Sequence, residues 1–468
     1  MGTNLRIGFE GAARTVTGSR HHLQWGERSW LFDCGLYQGH RDEAERINRE
    51  FAFDPASLDT VVVSHAHLDH TGNLPTLVAR GYGGRIHMTP ATADLSRYML
   101  ADSAFLQEKD VEHVNKRRQG RAPRIPLYTA ADVNETVTRF ETHRYHEPWE
   151  LFPGVTVTYH DAGHILGSAL TAFEFRSGGR TYRLGMSGDL GRSGRRILGD
   201  PEVPPGFDAL VLESTYGDRS HPDERENEQQ LVGIVNRTLA RGGRVLVPAF
   251  AVGRTQELVA TLHELTEAGR IPEVPIFVDS PLAREATSVF VRHPELFDAE
   301  TRRHFEQEHG APFGFARLTY VRTPDESRAL NDRRDPCIIV AASGMCEGGR
   351  IVHHLVHGLG NEKNTVLFVG YQAEGTLGRR LRDGAKAVNV LGEPVNVRAE
   401  IAAVEGFSAH ADQREILDWV GRLAPRPGRI FLVHGELGPA TVLAGRLKGE
   451  LGIETTVPDK GEAVELWT

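Results

Sequence analysis

The chain has 468 residues, enough for two or three domains with large cores. With 40% apolar and 25% charged residues it has the composition of an ordinary globular protein, and no run approaches the ~20 apolar residues of a membrane span. The net charge of −9 excludes a general pull toward nucleic acid, although a local cationic cleft matters more than the total.

The opening "MGTNLRIGFEG" has neither the basic start nor the apolar core of a signal peptide, so a cytoplasmic location is expected. Cys34, Cys337 and Cys346 are odd in number and form no CxxC pair, which predicts reduced, buried thiols. Lysine supplies only six of the 54 basic residues; codon bias in a GC-rich genome explains this without invoking RNA.

Taken in chain order, roughly the first 200 residues read as strand-rich. "LRIGFEG", "HHLQWGERSWLFDCG" and "GVTVTYHDAGH" mix apolar and polar residues between glycine turns. "ALTAFEFRSGGRTYRLGMSGD" predicts a hairpin turning at "SGG". A helical insert, "ATADLSRYMLADSAFLQEKDVEHVNKRR", runs into the basic cluster Lys116, Arg117, Arg118, Arg121 and Arg124, which reads as a solvated loop.

From Phe207 onward short apolar runs alternate with amphipathic helices: "DALVLES", "ENEQQLVGIVNRTLARGG", "RVLVPAF", "GRTQELVATLHELTEAG", "VPIFVDS", "PCIIVAAS" and "TVLFVGYQ". That texture predicts a parallel sheet covered on both faces, a second, doubly wound domain. No GxGxxG follows a strand, so a dinucleotide site is unsupported. After about Val395 strand and helix pieces return, two of them carrying histidine motifs, "GFSAHAD" and "LVHGE".

The chemistry concentrates in "SHAHLDH", directly after the apolar run "TVVV". In extended chain, positions i and i+2 face the same way, so His65 and His67 can reach one metal ion and Asp69 continues the spacing. His70 is offset and can turn toward a neighbouring site as the chain enters a helix. One short segment can thus serve two ions, and zinc suits imidazole and carboxylate donors.

"HAHLDH" is similar to the HxHxDH motif of the metallo-β-lactamase superfamily, and the other signatures follow in the family's order. "LFDCG" supplies Asp33, "DAGHILGS" His164 and "SGDLG" Asp189. "VLESTYGDR", "GFSAHAD" and "LVHGE" further resemble motifs A, B and C of the β-CASP nucleases, giving Glu213, His410 and His434. "VPAFAVGRTQEL", "DSPLA", "SGMCEGGRIVHHL" and "GYQAEGTLGRRL" resemble other segments of that family, so the likeness covers almost the whole chain.

The resemblance implies a four-layer αββα metallo-β-lactamase domain, residues 1–207 and 395–468, with a doubly wound β-CASP domain inserted at 208–394. It implies two Zn2+ ions, one held by His65, His67 and His164 and the other by Asp69, His70 and His434, with Asp189 bridging and Asp33 orienting the loops. The implied reaction is two-metal hydrolysis of RNA, endonucleolytic and in some relatives also 5′-to-3′ exonucleolytic. Asp69 takes part as a ligand at the reacting centre, His410 is the general acid, and Glu213 fixes its tautomer and charge.

The insertion is expected to cover the metal site and leave a cleft for RNA. Phosphate contacts are expected from Arg254, where a loop enters a helix, from Ser343, Gly344 and Gly349 before "RIVHHL", from His353 and His354 on that helix, and from Arg379. Helix caps, interdomain ion pairs or satisfied core groups are the competing reading of each.

His434 favours RNA, because RNA-processing members have histidine at motif C where DNA-repair members typically have valine. The chain ends soon after motif C and starts at once with metallo-β-lactamase strands. It is therefore expected to resemble the cleavage-and-polyadenylation endonuclease and its prokaryotic relatives more than ribonuclease J or the KH-domain archaeal proteins. A DNA-directed β-CASP nuclease and a small-molecule ester or lactone hydrolase are the alternatives, though the latter has no use for Glu213, His410 and the insertion. A homodimer is compatible with the family, but no segment supports it.

Overall fold

The computed structural model describes residues 4–39, 41–117, 123–307, 313–370, 372 and 375–467. It divides into two compact units: Met1–Gly194, Gly199–Ser220 and His410–Thr468 form one, and Arg195–Leu198 with His221–Ala409 the other.

The first unit is built on two seven-stranded sheets. One runs in the spatial order Ala463–Leu466, Leu5–Gly11, Arg20–Trp25, Arg28–Phe32, Thr60–Val62, Arg85–Met88 and Phe140–Thr142. The other runs Glu454–Thr456, Arg429–Val433, Ala209–Glu213, Arg180–Met186, Ala169–Ser177, Val155–Asp161 and Trp149–Phe152. The hairpin predicted at "SGG" is the antiparallel pair Ala169–Ser177 and Arg180–Met186. Gly178 and Gly179 turn between them with positive φ, as a two-residue hairpin loop requires. The predicted helical insert is one helix, Pro90–Arg117.

Alternation along the strands sets the layering. Val211, Phe431 and Val433 pack with Leu5, Ile7, Trp30, Phe32, Phe173 and Phe175 in the core between the sheets. Their neighbours Leu210, Leu212, Ile430 and Leu432 point the other way, onto Ile416, Trp419, Val420, Leu443 and Leu447 of two C-terminal helices. On the opposite outer face Leu31, Val61 and Ile86 meet Leu74, Leu77 and Val78. Helix, sheet, sheet and helix are thus the four layers expected.

The second unit has a six-stranded, wholly parallel sheet ordered Leu318–Tyr320, Ile276–Val278, Ile338–Ala341, Val245–Pro248, Thr365–Phe368 and Glu400–Ala403. Val245, Val247, Ile338 and Val340 pack against Leu231, Leu258 and Leu262 on one face. Leu246, Ile339 and Val366 pack against Ile351, Leu355 and Leu381 on the other. Both faces are covered, which is why its strands read as unbroken apolar runs.

The main span of the second unit, His221–Ala409, starts and ends later than the 208–394 expected, and Arg195–Leu198 joins it as a separate piece. "DALVLES" belongs to the first unit, because Ala209–Glu213 hydrogen-bonds in parallel to Arg180–Met186 and Arg429–Val433. "AEIAA" belongs to the second, because Glu400–Ala403 pairs with Thr365–Phe368.

Of the basic cluster, Lys116 pairs with Glu112 at 2.8 Å and Arg124 with Asp42 at 3.3 Å; Arg118 and Arg121 lie outside the described residues. Both are solvated ion pairs, as expected, but Lys116 belongs to the end of the helix Pro90–Arg117 rather than to a loop.

Phe173 is fully enclosed between the two sheets. Phe173→Ala is expected to cost about 3–5 kcal/mol in urea unfolding of the first unit; a loss below ~1 kcal/mol would contradict the packing described.

Candidate metal centre

The candidate donors all follow the carboxyl ends of strands in the first unit. Asp33 comes after Arg28–Phe32, the "SHAHLDH" segment after Thr60–Val62, and His164 after Val155–Asp161. Asp189 follows Arg180–Met186, Glu213 ends Ala209–Glu213, and His434 follows Arg429–Val433.

The histidine segment is fixed first by backbone. Cys34 N–H donates to His70 O at 2.8 Å, Leu36 N–H to Leu68 O at 2.8 Å, and Ser19 N–H to Asp69 O at 2.7 Å. Approach is so close at Gly35 that a Cβ there would lie 1.6 Å from Asp69 O. Asp33 is fully buried and binds the same segment by side chain. It accepts from Ser64 N–H at 2.8 Å, from the hydroxyls of Ser64 and Ser19 at 3.0 and 3.1 Å, and lies 2.7 Å from His70 Nδ1. Asp33 is therefore a positioning residue, one step removed from the cluster.

Two groups of donors converge. His65, His67, His164 and Asp189 form one, and Asp69, His70 and His434 the other, each with ligand atoms within 4.8 Å of one another. His67 Nδ1 lies 3.1 Å from His65 Nε2 and 3.3 Å from His164 Nε2. His70 Nε2 and His434 Nε2 are 3.2 Å apart. Asp189 faces both groups: Oδ2 is 3.4 and 3.5 Å from Nε2 of His65 and His164, and Oδ1 is 3.2 Å from His70 Nε2. Yet Asp189 Oδ1 is buried and makes no hydrogen bond to any of the described residues.

The electrostatics fit a cation. Burial pushes His65 and His164 well below the ordinary imidazole value and His67 to about 4, so these rings present lone pairs. Burial opposes ionisation of Asp189 and Asp69 as well, but the imidazoles of His434 and His70 outweigh it and hold both carboxyls low. His70 is raised well above its usual value, since Asp189 and Asp33 overcome the burial that would lower it. Facing imidazole nitrogens around buried carboxylates lack enough protons to satisfy one another. Divalent metal resolves this, and the donor set of imidazole and carboxylate suits zinc.

His410 stands beside the cluster. Its Nδ1 lies 3.1 and 3.2 Å from the two oxygens of Glu213 and 3.9 Å from Asp189 Oδ2. Burial alone would lower its pKa, but Glu213 and Asp189 raise it to about 9. Glu213 is itself fully buried and accepts from Leu190 N–H at 2.7 Å. The backbone joins in: Gly191 bridges to His410, and Ala411 N–H donates to Leu190 O at 2.8 Å.

The proposed phosphate contacts lie in the second unit. Arg254 is the first residue of the helix Arg254–Glu267. Ser343 and Gly344 follow the strand Ile338–Ala341, and Gly349 turns with φ of 70° before the helix Ile351–Gly358. His353 is on that helix and exposed, with its pKa lowered chiefly by partial desolvation. His354 is enclosed, and its ring nitrogens contact Asn331 Oδ1 at 2.8 Å and Asp279 Oδ2 at 2.7 Å. That leaves His354 no nitrogen for a substrate, so it matches the core reading. Arg379, on the helix Leu377–Arg382, pairs with Asp383 just beyond it at 3.0 Å.

Residues 26–224 match the metallo-beta-lactamase superfamily, 255–381 the Beta-Casp domain, and 394–458 the Zn-dependent metallo-hydrolase RNA specificity domain. Ribonuclease TTHA0252 of Thermus thermophilus is 40% identical over 98% of this chain and 100% of its own length. This chain belongs to the β-CASP family of the metallo-β-lactamase superfamily.

Other β-CASP relatives are the transcription termination factors FttA of Methanocaldococcus jannaschii, 34% identical, and of Thermococcus kodakarensis, 36% identical. Each match covers 99% of this chain, and 72% and 71% of the respective relative. A crystal structure of a protein of unknown function from Enterococcus faecalis superposes with a TM-score of 0.55 at 13% identity, over 99% of this chain and 100% of the other, and supports the fold alone.

The sequence motifs named the candidate donors that the fold brings together but not the groups that support them. Ser19 and Ser64, which satisfy Asp33, and Ser168 Oγ, which accepts His164 N–H at 3.0 Å, carry no spacing signal of their own. Gly35→Ala is expected to push the histidine segment off Asp33 and sharply lower the zinc content of purified protein by elemental analysis; full retention would refute the clamp.

Proposed function

We propose that this β-CASP protein is a zinc-dependent ribonuclease hydrolysing RNA phosphodiester bonds at a two-metal centre. The observation that carries this reading is the His410–Glu213 pair set against a two-group donor cluster whose shared member, Asp189, turns one oxygen to each. A hydrolase of small esters needs the cluster but not the pair.

In this reading His65, His67 and His164 hold one ion, Asp69, His70 and His434 the second, and Asp189 both. A zinc pair supplies a hydroxide near neutral pH and positive charge against the phosphate oxygens. The protein's own groups do the rest. Asp33 takes Nδ1 of His70, which turns Nε2 toward the cluster and fixes the tautomer. Glu213 takes Nδ1 of His410 and favours its charged form, so Nε2 is the proton donor to the leaving ribose oxygen. A side chain that keeps 21% exposure lets His410 recover its proton from solvent between turnovers.

RNA as substrate is supported by the RNA specificity domain matched at 394–458 and by the ribonuclease at 40% identity. Among the described residues, no helix is long and apolar enough to cross a membrane. Arg254, Ser343, Gly344, Gly349, His353 and Arg379 are the proposed phosphate-binding positions.

His410→Ala is expected to keep its zinc while cleavage of a labelled RNA falls by about 10²–10⁴-fold; wild-type rates would remove it as the acid. Asp189→Ala should lose the metal of this centre together with activity, and a zinc content equal to wild type in that variant would disprove the shared ligand. Chelation by EDTA should abolish cleavage, and Zn2+ should restore it. Circular RNA beside linear RNAs with 5′-monophosphate or 5′-triphosphate separates the modes: cleavage of the circle is expected, and its survival while linear RNA is degraded would show a purely exonucleolytic enzyme.

A further inference from the structure

A second set of metal-ligating side chains lies away from this centre, where the end strands of the two first-unit sheets meet. Phe140–Thr142 is the last strand of one sheet and Trp149–Phe152 the last of the other. His87 and Glu141 are register partners on adjacent parallel strands, so their side chains share a face. His143 follows Glu141 by two residues and stays in the ladder, its N–H donating to Met88 O at 3.0 Å. It therefore turns to that same face, by the spacing that pairs His65 with His67.

We propose that His87, Glu141 and His143 form an auxiliary zinc site that staples the edge strand Phe140–Thr142 to its neighbour. His87 Nδ1 and His143 Nε2 are 2.9 Å apart, and Glu141 Oε1 is 3.9 Å from the same His143 nitrogen. All three donor atoms lie within 4.8 Å of one another, the span of ligands around one ion. The His143 ring is held from behind by Trp149, stacked at 3.9 Å with the planes 6° apart. Burial lowers the pKa of both imidazoles, that of His87 to about 4, so each offers a lone pair.

A hydrogen bond between the two rings would occupy one nitrogen of each and leave Glu141 facing two uncharged groups. Among the described residues its other oxygen is paired only with a distant cation, Arg85 Nε at 3.9 Å. The comparable cluster of His146, His160 and Glu202 lacks this character. There Glu202 is already satisfied by His146 at 2.8 Å and by Asp161 N–H at 3.2 Å. Two imidazoles and one half-exposed carboxylate suit zinc completed by water.

The site is independent of RNA cleavage, and the test keeps the two apart. Full-length protein is loaded with excess ZnCl2, passed through metal-free buffer and analysed for zinc. Wild type is expected to carry about one ion more per chain than Glu141→Ala or His143→Ala, and Asp189→Ala is expected to keep that ion. Glu141 is half-exposed, so its variant tests the site even where loss of a histidine disturbs folding. Zinc titration of Glu141→Ala should show half-saturation of this ion shifted upward by about tenfold or more. RNA cleavage by folded Glu141→Ala should match wild type. Equal zinc in wild type and folded Glu141→Ala, or no zinc in Asp189→Ala, overturns the proposal.

Discussion

The buried carboxylate of Asp33 is the constraint on which the first unit's chemistry rests. An anion removed from water is tolerated only when its oxygens are taken up by donors. Here the donors are Ser19, Ser64 and His70, which belong to the segments flanking the candidate centre. Satisfying Asp33 therefore fixes the path of "SHAHLDH" and the tautomer of His70 in one stroke. The backbone bonds from Cys34 and Leu36 reinforce the same registry, and the missing side chain of Gly35 permits it. Imidazoles held this tightly converge without enough protons to satisfy one another, and that deficit is the space a metal fills.

How much of this was legible in sequence depended on whether the signal was local. His65, His67, Asp69 and His70 are readable because an i, i+2 spacing after an apolar run has one geometric meaning. The four layers follow from alternation such as Leu210, Val211 and Leu212, whose neighbours face opposite cores. "DALVLES" misled because Ala209–Glu213 is buried on both faces and pairs in parallel, so it has the texture of the second unit's strands while belonging to the first. His354 was unreadable for a different reason. Its partners Asp279 and Asn331 are distant in sequence, and a helix position alone does not distinguish a satisfied core histidine from a phosphate contact. The supports of the site, Ser19, Ser64 and Ser168, are ordinary serines whose value arises only once the chain has closed.

The two units illustrate two uses of buried strands. In the second, both faces of a parallel sheet are spent on helices, and the loops after its strands, with the helices they enter, carry the candidate phosphate contacts. In the first, each sheet spends one face on its partner and one on helices, and the same kind of strand ending delivers imidazoles and carboxylates. Rigid strands aim these side chains, which loops alone would hold less well.

The position of Glu213 and His410 along the chain has a consequence for synthesis. The chain leaves the first unit after Ser220, shortly past Glu213, and re-enters it at His410 itself. Joining those ends through an unfolded insertion would carry an entropic cost on the order of 5 kcal/mol, which a folded insertion avoids. Every donor of the first group precedes the gap, whereas His434 and the proposed acid lie beyond it. A growing chain that has not yet reached His410 thus holds the whole first group with Asp69 and His70, yet lacks both His434, which completes the second group, and the proposed proton donor.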